Sequence, residues 1–133
     1  MLFNPDADPL WSLRPTVYLG GPMRGKPQYN FPAFMEAEEY INSLGYNVVN
    51  PADHDLGVGV EPLEGVDDKL RGELLLWDFT QIVRHCQAIY LLRGWQQSEG
   101  ATLEYLLAKT LGMPIYQQGQ DELPDLIVSC RVN

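Results

Sequence analysis

The chain predicts an α/β domain built on a parallel sheet of four to five strands with helices on both faces. Three observations predict it. Short β-rich runs alternate with segments of helical period in the order β-α-β-α-β-α-β, and that alternation builds parallel βαβ units. The run Gln87–Leu92 (QAIYLL) is almost continuously apolar, as a central strand covered on both faces must be. Glycine marks the loops after the first and third strands. In open α/β sheets ligands bind there, beyond the carboxyl ends of the strands at the topological switch point.

Residues 1–15 read as an irregular arm, because Pro5, Pro9, Pro15 and polar residues interrupt any period. Thr16–Gly20 (TVYLG) is the first strand, β-branched and aromatic residues closed by glycine. After the loop GGPMRGKPQYN, Asn30 is a suitable N-cap, with Pro32 tolerated in the first turn. Phe31, Phe34, Met35, Tyr40, Ile41 and Leu44 form an approximate helical stripe, interrupted by Glu38. Gly45 is the expected stop. Tyr46–Asn50 (YNVVN) is the second strand, ended by Pro51. Residues 52–65 (ADHDLGVGVEPLEG) read as a long loop, a length that in a compact domain points to function or mobility.

A helix is expected over residues 66–85, with Leu70, Leu74, Leu75, Trp77, Phe79, Ile82 and Val83 as its apolar positions. Gln87–Leu92 is the third strand, RGWQQSEG the loop after it, and Glu99–Leu111 the next helix, stopped by Gly112. Met113–Gln117 (MPIYQ) is the fourth strand, and Asp125–Val128 (DLIV) is a candidate fifth. Residues 16–133 are expected to form one domain.

The totals narrow the function classes. A chain of 133 residues suits one domain with a sizeable core. Its 45% hydrophobic and 20% charged residues are those of an ordinary globular protein. A formal net charge of −9 disfavours nucleic acid and anionic membranes as partners. No apolar run approaches the roughly 18–20 residues of a membrane helix. The first residues, MLFNPDADPLWSLRP, carry acids and prolines where a signal peptide has a basic patch and an apolar stretch, so a cytoplasmic location is expected. Cys86 and Cys130 form no CxxC pair, and no second pair of ligands joins His85 and Cys86 at zinc spacing. Neither a metal nor a cofactor is expected. Cys86 opens an apolar run and reads as a small buried hydrophobe.

Two loops carry the candidate chemistry. Gly20-Gly21-Pro22-Met23-Arg24-Gly25-Lys26 matches GxxxxGK but not a true P-loop, since Pro27 stands where Ser or Thr should hold magnesium. Two readings stay open for it. Glycines let backbone N–H groups approach and cradle an anion, with Arg24 adding a bidentate contact; or the segment is a plain tight turn with two solvated cations. After the third strand, Ser98 is a natural N-cap. Gly100 and Glu104 lie four apart on one helical face, and the missing side chain of Gly100 leaves room beside Glu104. Glu104, flanked by Leu103, Tyr105, Leu106 and Leu107, either faces solvent or is held in a pocket. Asp53, His54 and Asp55 form a polar cluster that either lines a pocket or is a solvated loop, and Trp95 either stacks on a base or packs its own loop.

The pair Tyr18-Leu-Gly-Gly-Pro-Met-Arg-Gly and Ser98-x-Gly100-x-x-x-Glu104, in this order, resembles the nucleoside 2-deoxyribosyltransferase superfamily, which includes deoxynucleoside monophosphate N-glycosidases. The wider pattern over residues 16–117 looks like a small branch of it frequent in bacteriophages and prophages. The resemblance implies a three-layer flavodoxin-like or Rossmann-like fold and cleavage of an N-glycosidic bond. Glu104 would attack the anomeric carbon and Tyr18 would orient it. Ser98, serine as in the nucleotide hydrolases rather than the aspartate of the transferases, would contact a 5′-phosphate. The loop of Gly20, Gly21, Met23, Arg24 and Gly25 would hold the same phosphate. Asp78, chosen by its distance before the third strand, would serve the leaving base. A homodimer or higher homo-oligomer is implied as well.

The leading expectation is therefore hydrolysis or base transfer on a (deoxy)nucleoside 5′-monophosphate, with paired carboxylates dividing the roles of nucleophile and acid. Two others compete with it: a non-catalytic protein that binds or sequesters a nucleotide, and NAD cleavage of the kind TIR-like domains perform.

Overall fold

The computed structural model describes residues 14–57 and 68–127. All but Arg14 and Pro15 of the expected N-terminal arm lies outside them. The four strands β1 (Thr16–Gly20), β2 (Asn47–Val49), β3 (Ala88–Leu91) and β4 (Ile115–Gln117) form one sheet in the order β2-β1-β3-β4. Every pairing is parallel, with Tyr18 beside Val49 on one side and Ile89 on the other. The helices are α1 (Phe31–Ser43), α2 (Pro51–Gly57), α3 (Asp68–His85) and α4 (Glu99–Thr110). This is the three-layer α/β architecture the alternation predicted, with a flavodoxin-like strand order.

Side chains alternate across the sheet with the strand period of two. Val17, Leu19, Ala88 and Tyr90 point to the face covered by α1, where they meet Phe31, Phe34, Ala37 and Ile41. Tyr18, Ile89 and Leu91 point to the other face, packing with Ile82 of α3, Ala108 of α4 and the buried Cys86. After β1 the chain crosses to one side for β2 and then to the other for β3. The switch point therefore lies between the carboxyl ends of β1 and β3, where Leu92 N–H donates to the Gly20 carbonyl at 2.8 Å.

Three expectations are corrected. Residues 51–57, expected as the start of a long loop, form α2. Asn50 caps it, its Oδ1 accepting from the N–H groups of Ala52 (2.9 Å) and Asp53 (3.4 Å), and Pro51 and Asp53 suit a first turn. Residues 58–65 of that expected loop lie outside the described residues.

Asn30 precedes α1 but does not cap it through its side chain. Gln28, Tyr29 and Asn30 take successive left-handed conformations (φ 52°, 56° and 60°), and the Asn30 amide instead donates to the Pro22 carbonyl at 2.8 Å. The candidate fifth strand is absent over its described residues. Asp125 Oδ1 accepts from Ile127 N–H, Leu126 N–H donates to the Leu44 carbonyl, and a helical turn begins at 126. Val128 lies outside the described residues.

No helix among the described residues is long and apolar enough to cross a membrane. Leu76 and Val83 of α3 and Leu103 and Leu106 of α4 are exposed on the outer surface of their layer.

Candidate active site

The site grows from the end of β1. Tyr18 is fully buried, and its side chain leaves the sheet on the α3–α4 face. Its hydroxyl donates to Glu104 Oε2 at 2.6 Å. Two residues on, Gly20 points to the same face and makes room for that carboxylate. A Cβ on Gly20 would stand 3.0 Å from Leu91 Cδ2 and 3.1 Å from Glu104 Oε1. Gly21 is held as tightly, since a Cβ there would stand 2.8 Å from Leu92 Cβ.

Glu104 lies in the second turn of α4 and is 5% exposed, so its carboxylate is held in a pocket. Ser98 starts this helix as its N-cap, the Oγ accepting from Ala101 N–H at 3.2 Å. That cap fixes the direction of the helix, and so the place at which Glu104 meets Tyr18.

Asp78 comes from α3. Its carboxyl lies within hydrogen-bonding reach of Glu104 and Tyr18, while its Oδ1 is buried with no hydrogen-bond partner among the described residues. Two carboxyls can share a hydrogen bond only when one holds a proton. Burial, and then the nearby Asp55 charge, push Asp78 up to about 7. Burial and then the Asp78 charge hold Glu104 well above the usual carboxylate range, opposed by the Tyr18 hydrogen bond. The pair accordingly keeps one proton between them near neutrality. Tyr18 favours the negative charge on both acids, while the contact between them lowers Asp78 and raises Glu104, so that contact favours the shared proton on Glu104.

A third carboxylate, Asp55 of α2, is buried and is raised to about 6 by burial, against the lowering contact of His54. His54 Nδ1 lies 3.4 Å from Asp55 Oδ1, and the His54 ring stacks on Trp77 with centroids 3.6 Å apart.

The three carboxyl groups of Asp55, Asp78 and Glu104 line one cavity of about 470 Å³. Around the N-terminus of α4 it is bounded by Gly21, Met23, Arg24, Arg71, Ser98 and Gly100. Arg71 donates to Glu99, and Arg24 also feels the Glu99 charge. Between α1 and α2 the wall is Tyr29, Phe34, Pro51 and Asp55, with Glu104 and Asp78 also lining the space. Two arginines and a helix N-terminus favour an anion at one end. Carboxylates dominate the other.

The structure brings together most of the residues singled out from sequence: Tyr18, Gly20, Gly21, Met23, Arg24, Asp78, Ser98, Gly100 and Glu104. Gly25 and Lys26 are exposed and do not line the cavity; Gly25 serves a left-handed turn at φ 77°. Trp95 is not in the wall either. It packs on Tyr105 with ring centroids 4.8 Å apart, and its Nε1 donates to Gln117 Oε1 at 3.2 Å. The aromatic surface of the cavity belongs to Tyr29 and Phe34. Of the polar cluster after β2, Asp55 faces the cavity and Asp53 is exposed. Arg71 is the cation sequence reasoning missed. Its signal is the spacing of Arg71, Leu74, Leu75 and Asp78, one helical stripe along α3 that lines the cavity. No group of three or more His, Cys, Asp or Glu among the described residues is arranged to hold a metal ion.

Fold and site define a doubly wound α/β protein with a carboxylate-centred pocket at its switch point. Residues 15–117 match the family described as "Domain of unknown function (DUF4406)", and the chain belongs to that family. The matched span runs from just before β1 to the end of β4, so it holds the whole sheet and Tyr18, Asp78 and Glu104. No curated protein matches the chain.

Proposed function

We propose that the cavity binds a (deoxy)nucleoside 5′-monophosphate and that Glu104 cleaves its N-glycosidic bond, by hydrolysis or by transfer to a second base. The observation that carries this reading is the buried set of Tyr18, Glu104 and Asp78, with a hydroxyl donating to one carboxylate and the second carboxyl within reach of both. Glycoside cleavage needs this pairing of an ionised carboxylate with a protonated acid. The cationic mouth formed by Arg24, Arg71 and the start of α4 suits a 5′-phosphate.

The steps follow from the residues. The shared proton passes to Asp78, and Glu104, its charge stabilised by the Tyr18 hydrogen bond, attacks C1′ as the C1′–N bond breaks. Asp78 gives its proton to the departing base. Water, or the ring nitrogen of a second base, then attacks C1′ of the glycosyl ester. Asp78 takes up the proton released, and Glu104 leaves as carboxylate. The same reading includes a homo-oligomer, for which the exposed Leu76, Val83, Leu103 and Leu106 offer apolar surface.

The test is release of free base, followed by chromatography, from each deoxyribonucleoside and ribonucleoside monophosphate and from NAD, with and without an acceptor base. Release from a monophosphate that is lost in Glu104→Ala supports the reading. Nicotinamide release from NAD alone replaces it with NAD cleavage. No release from any substrate leaves a nucleotide-binding protein in which Glu104 is a contact and not a nucleophile.

A further inference from the structure

The nucleotide reading leaves Asp55 without a task, yet Asp55 is one of four buried polar or charged residues among the described residues. It lines the same cavity as Glu104 and Asp78. Its place along that cavity follows from the topology. The helix α2 follows β2 and α4 follows β3, and these strands flank β1 on opposite sides. Asp55 therefore lies on the β2 side of the cavity and the start of α4 on the β3 side, with Glu104 held to Tyr18 of β1 between them.

A nucleoside monophosphate seated with its phosphate at that helix and C1′ over Glu104 directs its base past Asp78 to Asp55. The neighbouring surface is Tyr29, Phe34 and Pro51, two aromatic rings and a proline that suit the faces of a planar ring. Asp55 is the carboxylate in that part of the wall among the described residues. One of its oxygens is engaged by His54, at 3.4 Å from Nδ1. The His54 ring in turn stacks on Trp77, and no hydrogen bond from the described residues engages the second carboxylate oxygen, which can accept from a ligand.

We propose that Asp55 is the specificity residue of this site and that it selects an amino-bearing base, cytosine, adenine or guanine, over the oxo bases uracil, thymine and hypoxanthine. This rests on the nucleotide reading. An exocyclic amine donates to the free oxygen of Asp55. An exocyclic carbonyl in the same place sets two acceptors against each other in a desolvated pocket, which leaves both unpaired, and sites built on a buried hydrogen bond reject such analogues strongly.

The experiment compares isosteric pairs. Calorimetric affinities for dCMP against dUMP and for dAMP against dIMP are measured on Glu104→Gln, so that turnover consumes nothing, and on Glu104→Gln with Asp55→Asn. The expected result is at least tenfold tighter binding of one amino member over its oxo partner. That ratio should fall to near one or invert in the double variant, whose side-chain amide can offer an N–H to the carbonyl. Initial rates of the otherwise native chain on the same pairs repeat the comparison without a variant, so a misfolded double variant does not shelter the proposal. Equal affinity within both pairs overturns the assignment of Asp55 while leaving the nucleotide reading in place. Binding of no monophosphate at all overturns both, and the two failures are told apart by that difference.

Discussion

A single hydroxyl decides how the central carboxylate behaves. Tyr18 donates its hydrogen bond to a glutamate whose negative charge burial and a second acid oppose. Tyr18→Phe removes that donor and almost nothing else of the packing. Base release is expected to fall about 10²-fold, the usual loss when one preorganised donor is removed, with little change in KM. The check is a kcat and KM comparison across pH, in which the acidic limb of the variant moves to higher pH because Glu104 becomes harder to ionise. An equal loss at every pH would show that Tyr18 acts through packing instead. Glu104 was visible in the sequence by its spacing from Gly100 on one helical face, and Tyr18 only through the resemblance its motif carries. Their contact, between residues 86 apart, was implied by that resemblance and not by the pattern of residues. Asp55 was legible only as one acid of a cluster of three polar residues, because which of them turned inward depended on a helix not foreseen.

At the scale of elements, the two glycine-marked segments do different work. Gly21 is glycine for the protein's own packing: a Cβ would meet Leu92 Cβ at 2.8 Å, an atom fixed to the backbone of β3's extension. Gly21→Ala should therefore destabilise by about 1–3 kcal/mol, as overpacking does. Gly100 is different. A Cβ there would find Leu75 Cδ2 at 3.7 Å, an ordinary contact, and the position faces the cavity. Gly100→Ala should leave stability unchanged or raise it by up to about 1 kcal/mol, while weakening nucleotide binding. Urea denaturation and calorimetry on the two variants separate the roles, and a destabilised Gly100→Ala with unchanged affinity would contradict this assignment.

The helices and strands themselves were legible from period and glycine placement, to within a residue or two at β2, β3 and α4. The misses share one cause. α2, the left-handed turn before α1 and the segment after Pro124 are all set by side chain to backbone hydrogen bonds of Asn50, Asn30 and Asp125. Asn and Asp can cap, turn or bridge, and the residue alone does not say which.

Over the whole molecule, three acids crowd one cavity in a chain whose formal net charge is −9. Asp78 and Asp55 rise in the folded state to about 7 and about 6 from an ordinary 3.8, and Glu104 rises too. The folded chain therefore binds more protons than the unfolded chain between roughly pH 4 and 7. Stability contributed by these groups is fully present below about pH 4 and is lost as pH rises through their folded values. The urea midpoint should be higher at pH 5 than at pH 8. Asp78→Asn should flatten that dependence and raise stability at pH 8 by about 1–3 kcal/mol, with base release lost. A midpoint that climbs toward pH 8 would show that the three carboxyls are not held together as described. The parallel sheet that assembles them was foreseeable from the alternation of elements. The polarity of the cavity was not, because Arg71 and Asp55 come from opposite borders of the segment joining α2 and α3.

The flat contact between His54 and Trp77 gives this protein a built-in optical gauge. An imidazole lying 3.6 Å from an indole, at 8° to its plane, shares in the excited state of that indole, so the emission of Trp77 depends on how the two rings overlap. Trp77 sits next to Asp78 in the chain, and His54 next to Asp55. A guest that draws either acid toward it is expected to change that overlap, which a titration followed by Trp77 emission would detect. Trp95, held away from the cavity by Tyr105 and Gln117, and Trp11, outside the described residues, supply the background. Occupancy of the pocket can thus be followed in the unlabelled chain by light alone.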